Sequence, residues 1–306
     1  MKTIFGDISK FPPLPAHTVL CLGYFDGVHV GHQAIVKEAI RSGNKVAVLT
    51  FDHSPRYILG LNQAEEVLSS IEDRAAIFDN LGVSLLLVAN FNPPFAALNS
   101  LQFIEELNRL NPVSVYCGPD YRFGQLAKGD PEFLKKSQDA RFDTFIVREV
   151  EIDNAKVASR NIVSLIQAGK VNEAKRLLGH PYRLSGTVVK GLGNGRKIGF
   201  PTANLDLAAP YVIPLSGVYA TRVIIKHKTY LGVTYVGTHP TINELPKPIV
   251  ETYILHFHHA IYKKKISVEF LHFLRGDIKF PSTKDLKKQI KADAEQTKKL
   301  AAKASE

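Results

Sequence analysis

Cysteine is scarce: among 306 residues only Cys21 and Cys117 occur. Each lies in an apolar, strand-like run, so both read as small buried hydrophobes, and a disulfide framework or a cysteine zinc site is excluded. No apolar run approaches the roughly 18 residues that a bilayer-crossing helix needs, so no membrane partner is expected. The opening Met1-Lys2-Thr3-Ile4-Phe5-Gly6-Asp7 has neither the apolar core nor the small-residue cleavage site of a signal peptide, and a cytoplasmic setting is the expectation. Repeats and low-complexity tracts are absent as well. What is present is an ordinary globular balance, 45% hydrophobic and 22% charged, with a formal net charge of +10. That excess favours an anionic partner, whether nucleotide phosphates, nucleic acid or an acidic surface. Part of it sits over residues 284–303, where Leu286, Ile290 and Leu300 predict a helix with a solvated basic face. This face reads as structural rather than nucleic-acid binding.

A chain of this length is comfortable for two domains. Its first half alternates: strands are predicted over 18–22, 45–51, 84–89, 114–117 and 143–150, and helices over 33–42, 71–81, 101–110 and 131–139. Strands apolar almost throughout, each followed by a helix, predict an α/β domain with a parallel sheet covered on both faces. Ligands of such sheets bind at the carboxyl ends of the strands, and the polar segments 24–32, 52–55, 90–94 and 118–124 fall there. Amphipathic segments over 159–167 and 171–178 follow, and the pattern changes near Gly179-His180-Pro181. Beyond it come β-rich runs over 184–190, 217–225, 228–235, 250–256 and 265–274, with Gly or Pro turns between them and no helix until the tail. Such strands predict an antiparallel barrel. The expected domains are 1–180 and 181–306.

One run carries most of the chemistry: Gly23-Tyr24-Phe25-Asp26-Gly27-Val28-His29-Val30-Gly31-His32, where a predicted strand hands over to a predicted helix. Free N–H groups and the positive dipole end of a helix N-terminus favour an anion, and glycines let the main chain approach closely. The glycines alone also fit an ordinary tight turn. Two histidines three residues apart add donors for the same phosphates and favour the phosphate reading. A second glycine-rich stretch, Gly191 to Gly199, carries Lys190, Arg196 and Lys197, a mobile basic setting suited to phosphates. His256, His258 and His259 have no Cys or carboxylate at ligand spacing, so no metal is expected on them.

With the further stretches Gly118-Pro119-Asp120-Tyr121-Arg122-Phe123-Gly124 and Gly199-Phe200-Pro201-Thr202-Ala203-Asn204, the chain resembles the bacterial bifunctional riboflavin kinase/FAD synthetase family over nearly its whole length. The resemblance implies a Rossmann-like nucleotidyltransferase domain that adenylylates FMN to FAD, followed by a β-barrel riboflavin kinase domain with a C-terminal helix. It implies ATP, riboflavin, FMN and FAD as substrates or products, Mg²⁺ as cofactor, and a monomer or weak homo-oligomer. In the first domain His29 and His32 would hold the triphosphate, helped by Gly23, Phe25, Asp26 and Gly31, with Ser159 and Arg160 also at the nucleotide. Asp120, Phe51 and Phe123 would lie on the flavin side. In the second, Lys190, Gly195 and Arg196 would meet ATP, Thr202 and Asn204 the metal–nucleotide, Glu251 would be the catalytic base, and Arg275 would close on the flavin.

Four places depart from the family's pattern. Phe51-Asp52-His53-Ser54-Pro55 displaces a histidine by one position, and the family's Ser-Ser-Thr-x-Ile-Arg element corresponds to Ala158-Ser159-Arg160-Asn161-Ile162-Val163. Tyr235 replaces a small polar residue, and His239, in Gly237-Thr238-His239-Pro240-Thr241, replaces Arg or Asn. These departures keep two alternatives open: a single surviving activity, or a regulatory relative that senses flavin nucleotide.

Overall fold

The computed structural model describes residues 1–191, 193–239 and 247–303. It divides into two compact units, Met1–Val67 with Ile71–Ala158, and Leu68–Ser70 with the chain from Ser159 on.

The first unit is a parallel sheet of β1 (Lys2–Gly6), β2 (Thr18–Leu22), β3 (Lys45–Phe51), β4 (Leu85–Ala89), β5 (Ser114–Cys117) and β6 (Asp143–Ile146), in the order β1-β4-β3-β2-β5-β6. The chain runs outward from β2 through β3 to β4, then returns to the other side of β2 for β5. The reversal at β2 opens a crevice at its carboxyl end, where open parallel sheets bind ligands. The main helices are α1 (Val30–Arg41), α2 (Pro55–Ile58), α3 (Ile71–Leu81), α4 (Pro93–Ala96), α5 (Ser100–Leu110) and α6 (Pro131–Lys136). On one face Phe103, Ile104, Leu107 and Leu110 of α5 join Leu20, Leu22 and Cys117 in a buried cluster. On the other, Val36 and Ala39 of α1 and Phe78 of α3 cover Val19, Cys21 and Val48. The two cysteines are free and buried, as small hydrophobes. Helix α5 starts where it does because Asn99 and Gln102 form a reciprocal capping box, both bonds 2.9 Å. A small hairpin, β7 (Glu151–Ile152) with β8 (Ala155–Lys156), ends the unit.

The second unit opens with α7 (Ser159–Gln167) and α8 (Val171–Leu178). Helix α8 packs against β9 and β14 of the barrel described next, so by packing the division falls at Ala158/Ser159, ahead of the change in sequence pattern near 180. The closed antiparallel barrel comprises β9 (Tyr182–Val189), β10 (Thr202–Leu207), β11 (Gly217–Ile225), β12 (Lys228–His239), β13 (Lys247–Ile254) and β14 (Lys265–Arg275), in the order β10-β13-β12-β11-β14-β9. A short α9 (Asn194–Lys197) lies between β9 and β10, and α10 (Thr283–Lys303) packs on β11, β12 and β14. Inside the barrel the hydroxyls of Thr221, Thr234 and Thr252, all 0% exposed, form a chain with both links 2.8 Å, and Thr221 also donates to the Gly232 carbonyl. Besides the short β7–β8 hairpin, two strands of the main sheet and barrel escape the sequence reading. β1 is a short edge strand, and β10 alternates polar with apolar residues after a proline, which reads as loop.

Candidate active sites

The first site grows out of β2. All five of its residues are buried, so the strand is held rigidly to its end and delivers Gly23 to the crevice. A Cβ at Gly23 would sit 2.9 Å from the Phe25 ring, so only glycine fits. Phe25 and Val28 adopt left-handed backbone, φ 54° and 40°. For a β-branched residue this costs on the order of 1–3 kcal/mol, tolerated only where neighbours hold the turn. The turn enters α1 at His29, whose Nδ1 accepts a hydrogen bond from the His32 backbone N–H at 3.3 Å. The imidazoles stack with centroids 3.6 Å apart and planes 16° from parallel. Gly31 leaves room for them, since a Cβ there would lie 3.2 Å from the His29 ring.

Burial pushes the His29 imidazole down to about 4 against the opposing pull of the Asp120 carboxylate. Burial, then the neighbouring His29 and Arg74, push His32 well below its ordinary value. Both rings are therefore neutral near pH 7. Because His29 accepts at Nδ1, its ring proton sits on Nε2 as a donor, while His32 Nδ1 is buried without a hydrogen-bond partner. The arrangement supplies hydrogen-bond donors and the dipole of α1 to an anion without a fixed positive side chain at the turn itself.

Of the other residues expected at this site, Asp26 is buried and ion-paired to Arg74 at 3.4 Å. Asp120 is exposed and held 3.3 Å from Lys156. Phe51 and Phe123, 7% and 6% exposed, lie in the cluster under α5, Phe51 edge-on to Phe91 and Phe95 and Phe123 against Phe103. Their surroundings are those of core residues. The displaced His53 is tied to Glu65 at 3.0 Å, and that carboxylate raises its pKa. Ser159 and Arg160 open α7, in the second unit.

The second site lies where β10 and β13 pair. Asn204 stands opposite Glu251 in the register and Thr202 opposite Tyr253, so alternation puts Thr202, Asn204 and Glu251 on one face. Thr202 Oγ1 donates to Glu251 Oε2 at 3.3 Å. Two cavities meet at Thr202. One, of about 380 Å³, is lined by Gly191, Gly193, Arg196 and Asn204 on one side and by Phe257 to Tyr262 on the other. The second, of about 820 Å³, is lined by Glu251, Tyr235, Val218, Val233, Arg275 and residues of α10. A Cβ at Gly191 would fall 2.4 Å from Asn204 Nδ2, and one at Gly195 2.4 Å from the Phe200 carbonyl, so both glycines leave space that a side chain would fill. Lys190 and Arg196 are exposed beside the first cavity's glycine loop. Arg275 is held by Asp293 of α10, with Nη2 to Oδ2 at 2.9 Å, and lies 5.6 Å from the Phe280 ring centre. His258 and His259 also line the smaller cavity. Among the described residues no group of three or more His, Cys, Asp or Glu side chains could hold a metal. Leu192, Pro240 and Thr241 lie outside the described residues.

Residues 12–161 match the FAD synthetase family and residues 178–301 the riboflavin kinase family. The chain is 36% identical to the bifunctional riboflavin kinase/FMN adenylyltransferase of Listeria monocytogenes, over 99% of each protein. The chain belongs to the bifunctional riboflavin kinase/FMN adenylyltransferase family. A further member of that family, from Haemophilus influenzae, is 37% identical, with 91% of this chain and 92% of that one covered. A solved structure from Streptococcus pneumoniae, described as a macrolide-efflux protein, superposes with a TM-score of 0.87 at 33% identity, covering 97% of this chain and 98% of that one. Among the described residues no helix is long and apolar enough to cross a membrane.

Within this member of the family, sequence reasoning missed three side chains that lie at the candidate sites. Arg74 reads as one polar position of an amphipathic helix, yet it is 1% exposed beneath the first turn. Lys156, in a hairpin too short to predict, pairs with both Asp120 and Glu149. Asp293, on the helix read as a basic solvated face, is 2% exposed and anchors Arg275. Only an acidic residue in register with the apolar stripe of α10 could have flagged the last.

Proposed function

We propose that residues 181–306 transfer the γ-phosphoryl group of ATP to the 5′-hydroxyl of riboflavin, and that residues 1–180 transfer AMP from a second ATP to the phosphate of the FMN so made. The observation that carries this reading is that Thr202 lines both cavities and donates a 3.3 Å hydrogen bond to Glu251, which lines the larger one. The smaller cavity, with its glycine loop and Arg196, suits ATP; the larger, more apolar one, closed by Arg275 and α10, suits the flavin. Glu251 then stands where the two substrates meet and takes the proton of the attacking hydroxyl.

Thr202 and Asn204 offer the uncharged hard oxygens that Mg²⁺ accepts alongside phosphate oxygens, and the bare Gly191 leaves the Asn204 amide room to turn towards them. Bound there, Mg²⁺ supplies charge neutralisation and orientation of the phosphates. Lys190, Gly195 and Arg196 bind the nucleotide from the loop.

In the first unit the neutral His29 and His32 donate to the triphosphate. Gly23, Phe25, Asp26 and Gly31 shape the turn around it. Adenylyl transfer needs no covalent protein intermediate, so alignment and stabilisation of the departing pyrophosphate suffice. Asp120 places the flavin side, with Phe51 and Phe123 backing it from the core. The charge excess serves phosphate handling, and the enzyme acts in the cytoplasm as a monomer or weak homo-oligomer on small molecules, with neither nucleic acid nor membrane as partner.

The test is to incubate purified protein with riboflavin, ATP and Mg²⁺ and to follow FMN and FAD separately. FMN should appear first and FAD after it. Failure to form FMN overturns the kinase assignment; FMN without FAD overturns the adenylyltransferase assignment.

A further inference from the structure

Arginine is costly to bury unless its donors are met, and Arg74 on α3 is 1% exposed. Its guanidinium reaches the first turn and the end of β3. Nη1 donates to the Tyr24 carbonyl at 3.1 Å and, at 3.4 Å each, to Thr50 Oγ1 and the Phe51 carbonyl; Nη2 reaches Asp26 Oδ1 at 3.4 Å. The Tyr24 ring stacks 4.5 Å from the guanidinium carbon. Thr50 Oγ1 donates in turn to the same Tyr24 carbonyl, at 2.7 Å. Every one of these partners belongs to the Gly23–His32 turn or to the end of β3 beside it.

We infer that Arg74 is a positioning residue for adenylyl transfer, acting through the turn on ATP. The inference rests on the reading of that turn as the triphosphate site. Two physical effects carry it. In a planar trans peptide the C=O and N–H point in opposite directions. Drawing the Tyr24 carbonyl towards Arg74 therefore turns the Phe25 N–H away from it and fixes the left-handed Phe25, φ 54°. Second, Asp26 is a carboxylate in a turn that receives a polyanion. Arg74 neutralises it from behind, so the acid does not oppose the incoming phosphates.

The test uses the whole chain, because riboflavin phosphorylation by the barrel reports folding in the same sample. Arg74→Met should raise KM for ATP in FAD formation by about tenfold or more and lower kcat less, with riboflavin phosphorylation within about twofold of the parent. Asp26→Asn placed on Arg74→Met should recover part of the KM loss, and recovery of KM for ATP in FAD formation without any change in riboflavin phosphorylation or in the unfolding midpoint separates this role from a purely structural one. Arg74→Lys, keeping the charge without the fork, should fall between parent and Arg74→Met. An Arg74→Met enzyme with unchanged KM for ATP, or a double variant no better than the single one, overturns the inference. If Arg74→Met loses both activities, Thr50→Val replaces it as the probe: a KM for ATP raised several-fold supports the role, and an unchanged one overturns it. A parent protein that makes FMN but no FAD would instead sink the reading of the turn itself.

Discussion

His29 shows how one buried side chain sets both chemistry and stability. Its imidazole titrates at about 4 when folded, against 6.5 when exposed. Below about 6.5 the unfolded chain takes up a proton that the folded chain refuses, so stability is complete above that pH and is lost progressively as pH falls towards 4. His32 acts in the same direction, because its folded value is lowered too. Each unit of difference is worth about 1.4 kcal/mol. Unfolding midpoints followed from pH 7.5 to 4.5 should therefore fall less steeply for His29→Gln than for the parent; superimposable profiles would refute the burial argument. At the second site the equivalent probe is Gly191→Ala, whose methyl would fall 2.4 to 2.6 Å from the side-chain atoms of Asn204. Riboflavin phosphorylation should drop by about tenfold or more through KM for ATP, with FMN adenylylation unchanged. The histidine pair was legible in the sequence because spacing and local turn chemistry sufficed. Arg74 was not, since its partners Tyr24 and Asp26 lie about fifty positions away along the chain, and only the tertiary fold brings them together.

At the scale of elements, the strands that read clearly were those whose burial is uniform. β2, β3 and β5 occupy the expected residues, because an apolar run in a covered sheet has few other places to go. β10 failed to read for the opposite reason: Thr202 and Asn204 face the site, and chemistry displaced the apolar residues that would have marked a strand. β6 proved shorter than expected, ending at Ile146, since beyond it the chain leaves the sheet to reach the β7–β8 hairpin. Helix α5 offers a clean test of local forces. Its capping box satisfies two otherwise unpaired backbone donors, so Asn99→Ala should destabilise the first unit by about 1 kcal/mol. Chemical denaturation of parent and variant measures it, and no change in midpoint would mean that water replaces the cap at no cost.

For the whole molecule, two unlike folds in one chain predict separable lesions. Glu251→Gln should stop FMN formation from riboflavin while FAD formation from supplied FMN continues. His32→Asn should do the converse, accumulating FMN. Timed separation of the two flavins reads both variants, and loss of both activities in either would contradict independent sites. The order of the two folds could be read from sequence, and so could the turns proposed as phosphate sites, because phosphate-binding turns draw on a narrow vocabulary of glycine, histidine, threonine and asparagine. The larger cavity of the barrel was less readable, since it is assembled in part from apolar residues of β11, β12 and α10 that differ from core only by facing a void.

The linked threonines inside the barrel carry a consequence for how such a sequence drifts. Replacing Thr234 alone by valine would leave the buried Thr252 hydroxyl without this partner and take from Thr221 one of its two, a loss greater than one hydrogen bond. Exchanging all three for hydrocarbons of like shape would leave nothing stranded except one carbonyl. A lineage can thus cross between the polar and the oily interior only by coordinated change, and among relatives these three positions should covary as a set.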